Sequence, residues 1–152
     1  MSVISHLEQR DAPNEMADTL LLWEEIKQGL YDIYISQVVM AEISGNKQPK
    51  LGTLLKSLEE IEYTLVPISK EMEVYANALI DGGILTAKSR ADCLHIASAV
   101  INECHMLLSW NFKHIVRVKT TNGIKIVNAM LGYREIGIFS PSMIVERRLD
   151  DE

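Results

Sequence analysis

Three residues in this 152-residue chain could meet to do chemistry: Glu42 in "SQVVMAEI", Asp92 in "SRADCLHIASAV" and Asn111 in "LLSWNFKHIV". Glu42 follows Val38 by four residues and abuts Ile43, so its charge lies against an apolar stripe. Such a charge is costly unless it is paired, bound to a cation or turned out to water. Asp92 has a local reading as well, because Ser89-x-x-Asp92 resembles a capping box and a carboxylate suits the first turn of a helix. Asn111 can likewise cap the short turn "FKHI". Taken singly, each of the three residues has an ordinary structural explanation.

Other chemistries lack their residues. No GxxxxGK[ST] or GxGxxG loop is present to cradle a nucleotide, and no GxSxG supplies a hydrolase nucleophile. His6-Leu7-Glu8 has the spacing of a deaminase HxE, but no PCxxC follows it. Asp92, Cys93, His95, Cys104 and His105 contain zinc-ligand types, yet successive helical residues point in different directions.

The elements that must position the three residues alternate along the chain. Helices are expected over 13–29, 37–43, 49–61, 69–83, 89–104 and 122–133. Pro13, Ser36, Pro49 and Ser69 give start signals, and Gly29, Gly45 and Gly82–Gly83 give stops. The apolar stripe of the first helix is expected at Met16, Leu20 and Trp23, and that of the helix at 89–104 at Leu94, Ala97 and Val100. Strands are expected at "YDIYI", "YTLVPI", "HMLLSW" and "EIGIFSP", the last ended by Pro141. Ser2, Val3 and Ile4 read as the end of one further strand. Short strands separated by helices imply parallel pairing through crossovers, hence a three-layer α/β sandwich with a central parallel sheet. In such a fold polar residues at the carboxyl ends of the strands form the site.

Length and composition agree with one domain over 1–146 and a frayed tail over 147–152. Apolar runs stop well short of the roughly 18 residues that a membrane span needs. No signal peptide is apparent, and two cysteines without CxxC spacing fit reduced, buried thiols in a cytoplasmic protein. The net charge of −6 is unevenly spread. Residues 1–103 hold 16 acids against 8 Lys/Arg, whereas 104–134 hold no acid and Lys113, Arg117, Lys119, Lys125 and Arg134. A basic segment beside an acidic site can hold a phosphate backbone, and it can equally be a solvated face.

The blocks "ISQVVMAEI", "SRADCLHIASAV" and "LLSWNFKHIV", in this order and over nearly the whole chain, resemble three signatures of the PIN domain, the nuclease fold of VapC-type toxins. The resemblance implies a Mg²⁺- or Mn²⁺-dependent ribonuclease, with Glu42, Asp92 and Asn111 in the catalytic, metal-ligating positions. Position 111 is commonly Asp in the family, so the Asn removes one negative charge. Ser2 and Ser109 would support the ligands, and Arg90, Lys113 and His114 would position the phosphate chain. It further implies a homodimer and a cognate antitoxin. Family members begin with a strand whose closing Asp is the first ligand, and "SVISHL" matches the residues after that Asp. On this reading the first strand and its Asp are missing, Met1 is an incorrectly chosen start, and the chain as given is impaired. The alternatives are a non-catalytic PIN-like module that binds RNA or protein, and an unrelated α/β protein with a small ligand.

Overall fold

The computed structural model describes residues 2–150, with side chains through Val145. Met1, expected to be an incorrectly chosen start, lies outside the described residues. Ser2–Ile4 do not end a strand. Val3 is already helical, and a 3-10 helix runs over Ile4–Glu8. The Ser2 hydroxyl accepts from the Ser5 amide at 3.3 Å, and buried His6 pairs with Glu15 at 2.9 Å. Those polar contacts fix the turn and withdraw the segment from sheet pairing.

Among the described residues, seven α-helices and four strands follow. They are α1 (Pro13–Lys27), β1 (Tyr34–Ser36), α2 (Gln37–Ser44), α3 (Lys50–Glu59), β2 (Thr64–Val66) and α4 (Lys70–Asp81), then α5 (Arg90–Ile101), β3 (Met106–Leu108), α6 (Val118–Leu131), β4 (Gly137–Phe139) and α7 (Pro141–Asp150). Ser36 and Ser69 act as N-caps, their hydroxyls accepting from Val39 and Met72 amides at 3.3 and 3.2 Å. Pro141 follows the end of β4, as expected, and opens a helix; the frayed tail expected over 147–152 lies partly outside the described residues. Proline suits the first helical turn, and Ile144 and Val145 bury against Leu22 of α1.

All strand pairing is parallel, as the alternation of strands and helices requires. It forms two separate sheets, however, and not one central sheet. β1 pairs with β2 in the register Tyr34↔Thr64, and β3 with β4 in the register Met106↔Gly137. Among the described residues no strand joins β1 to β3. The α/β class is observed, and the expected continuous sheet is divided in two.

The largest apolar cluster binds α4, α5 and α6 to one another, with Met72, Tyr75, Leu79 and Ile96 fully buried. A Cβ on Gly123 of α6 would lie 2.5 Å from Ile84, so glycine permits that close approach. A second cluster joins Trp23 and Ile35 to α2 and α3. Leu107 packs on the first cluster, whereas Met106 and Leu108 pack with α1 and α7, so helices cover β3 on both faces. On α1 the buried residues are Thr19, Leu22 and Trp23, while Leu20 is 44% exposed, which rotates the expected stripe by about one position.

Candidate functional site

Glu42 lies on α2, Asp92 in the first turn of α5 and Asn111 in the loop after β3. β1 leads directly into α2, placing Glu42 near the carboxyl end of that strand. β3 ends at Leu108, and Asn111 follows in the turn beyond it. α5 packs against both β1 and β3. Two contacts tie its first half to the residues in question: His95 Nε2 lies 2.9 Å from Glu42 Oε1, and Asn111 Nδ2 donates to Asp92 Oδ1 at 3.2 Å.

The first contact uses a residue that the sequence reading considered only as a zinc ligand. His95 stands three residues after Asp92, on the same helical face, and that spacing was the available signal. Burial alone would raise the Glu42 carboxyl, but the hydrogen bond and charge of His95 outweigh it and hold the group below its usual range. The other Glu42 oxygen, Oε2, is buried with no partner among the described residues. An orphaned carboxylate oxygen of this kind suits a cation.

The second contact corrects the local reading of Asp92. Ser89 makes no side-chain capping bond to α5, and its backbone leaves the geometry a cap requires. Asp92 instead carries the Asn111 amide. Asn111 is itself engaged twice, since its Oδ1 accepts from the His114 amide at 2.9 Å and caps the turn as expected. Ser109 Oγ accepts from the Asn111 amide at 3.0 Å, fixing the loop from below. Ser2 lines the same cavity as Asp92, His95 and Asn111, with its hydroxyl accepting from the Ser5 backbone N–H.

Hard oxygen donors suit Mg²⁺ or Mn²⁺, and Glu42 and Asp92 supply two carboxylates. The fit is partial. Among the described residues no group of three His, Cys, Asp or Glu converges on one point, and both atoms of the Asn111 amide are already bonded. Of the cations assigned to phosphate, Arg90 bonds Asn77 Oδ1 at 2.8 Å, and exposed Lys113 stands in the turn after Asn111. Cys93, behind Asp92, is fully buried, and burial with the neighbouring Asp92 charge pushes its thiol up to about 11. Cys104 is half-buried and also free.

A cavity of about 520 Å³ opens beside these residues. Its side walls are the segments 30–36 and 104–109, and α1 and α5 close it above and below. No protein-family model matches the chain, and neither does any curated protein or solved structure. Fold and site geometry therefore carry the functional reading. No helix among the described residues is long and apolar enough to cross a membrane.

Proposed function

We propose that the chain is a Mg²⁺- or Mn²⁺-dependent ribonuclease of PIN type, the toxin half of a toxin–antitoxin pair, acting in the cytoplasm as a homodimer. In this reading the two parallel pairs are the flanks of one three-layer sandwich. The observation that supports it is a pair of contacts on the first half of α5, Asn111 with Asp92 and Glu42 with His95, with Glu42 Oε2 buried and unpartnered among the described residues.

A divalent ion there supplies Lewis acidity toward a phosphoryl oxygen and lowers the pKa of water. The chain's own residues do the holding. Glu42 and Asp92 present oxygen donors, His95 orients the Glu42 carboxylate, and Asn111 holds one Asp92 rotamer without adding charge. Lys113 and Arg90 supply positive charge toward a phosphate chain.

The test is cleavage of single-stranded RNA with a Mn²⁺ titration, read beside direct Mn²⁺ binding. Asp92→Asn is expected to weaken both by at least about 100-fold, more than loss of a residue that only supports a ligand. Cleavage that survives EDTA, or is unchanged in Asp92→Asn, overturns the reading. RNA binding that ignores Mn²⁺ favours the second reading, a non-catalytic module. The neutral Asn111 and the absence of a third converging metal-binding side chain among the described residues support that alternative.

A further inference from the structure

The cavity between the two sheets has the walls of a missing strand position. In the β1–β2 pair the Ile33 carbonyl accepts from the Thr64 amide at 2.8 Å. Backbone groups alternate along a strand, so those of Ile33 and Ile35 face β2, and those of Tyr34 face the opposite way. In the β3–β4 pair the Ser109 amide donates to Phe139 and the His105 carbonyl accepts from Gly137, both at 3.0 Å. The same alternation turns the N–H and C=O groups of Met106 and Leu108 away from β4. Both open edges border the cavity, because Tyr34, Met106 and Leu108 all line it.

The two edges also run the same way. Through Asp92 the amino-terminal half of α5 holds Asn111, just beyond the carboxyl end of β3, and through His95 it holds Glu42 of α2, the helix that follows β1. The carboxyl-terminal end of α5 turns through 102–105 into the start of β3. A chain entering the cavity in that direction would run parallel to both edges. Leu22, Trp23 and Ile26 of α1 give it an apolar face on one side, and Ser98 and Ala99 of α5 leave small-residue space on the other.

We infer that this slot binds an extended, apolar peptide segment as a fifth strand, parallel to β1 and β3 and hydrogen-bonded to both. Two observations select a peptide over a hydrocarbon ligand. The first is the pair of strand edges, whose polar backbone groups an apolar molecule would leave unsatisfied. The second is Trp23, 5% exposed, whose indole N–H has no partner among the described residues and calls for an acceptor such as a peptide carbonyl. Asp32 and Glu103, the latter 3.6 Å from Arg134, stand at the end of the slot where the strands begin. They favour a basic residue ahead of the apolar run. This inference does not depend on the nuclease reading, since it needs neither metal nor RNA, and Asp92 and His95 enter it only as markers of strand direction.

The experiment adds a synthetic peptide, one Lys followed by five Val, Ile or Leu residues, to the intact chain and follows amide hydrogen exchange. At about 100 times the peptide's dissociation constant, the Tyr34, Met106 and Leu108 amides should exchange roughly 100-fold more slowly. A peptide N-methylated at alternate residues, with the same side chains, should give no such protection. Protection on one edge only, equal protection by the methylated peptide, or no protection at all overturns the inference. So does protection of the same amides without peptide that rises with protein concentration, since a second copy would then fill the slot. None of these readouts uses RNA or metal, so its failure is distinct from failure of the ribonuclease reading.

Discussion

The two faces of α5 make opposite uses of one helix. On one face Cys93, Ile96, Ala97 and Val100 lock into α4 and α6, with Ile96 and Ala97 fully buried. On the other, Asp92, His95, Ser98, Ala99 and Asn102 border the cavity between the sheets. The packed face fixes where the helix lies, and the polar face carries charge that a packed core would not tolerate. A helix anchored this firmly on one side can hold a carboxylate and an imidazole in place on the other without a complete sheet beneath them.

The contrast breaks most sharply by emptying the packed face. Ile96→Ala should destabilise the chain by about 2–5 kcal/mol, because the site is fully enclosed and cannot collapse freely. Urea unfolding measures this, and a loss below about 1 kcal/mol would mean that α5 is not held by that cluster. The next effect comes from the polar tie behind it. Tyr75 Oη bonds Asn128 Oδ1, and Asn128 Nδ2 donates to the Arg134 carbonyl at 2.9 Å, joining α4 to the end of α6. Tyr75→Phe keeps the ring and strands a buried amide oxygen, costing about 1–3 kcal/mol in the same assay.

The packed face was the more legible of the two in the sequence. Periodicity placed the four strands and located the main helices, because each depends on neighbours within a few residues. α6 nevertheless starts at Val118, four residues before the expected 122, since Thr120 turns inward and bonds the His114 carbonyl. The division into two sheets was not legible. Which strand lies beside which is settled by long-range packing, and no local pattern in "YDIYI" or "HMLLSW" states it. At the site, Glu42, Asp92 and Asn111 were chosen from the sequence through the family resemblance; the fold joins Asn111 to Asp92, and Glu42 to His95 one turn further along α5. The Glu42–His95 pair escaped notice because it spans 53 positions, and the Asn111–Asp92 bond spans 19.

The smallest expected effect sharpens the comparison from the cavity side. Glu42 titrates below its ordinary value of 4.5 in the folded chain: burial raises it, and the His95 contact more than compensates. A depressed folded value means that the ionised carboxylate stabilises the fold above the unfolded pKa. That contribution disappears as pH falls through the lower folded value. Unfolding free energies compared at about pH 6 and about pH 3 should therefore drop less in Glu42→Gln or His95→Ala than in the parent chain. The Glu42 side chain is 33% exposed and screened by water, so the difference must be smaller than either core effect. Identical pH slopes in all three proteins would show that His95 touches Glu42 without stabilising its charge. Glu42 Oε2, buried and unpartnered, would then be an uncompensated cost to the fold, which strengthens the case that a cation completes this side of α5.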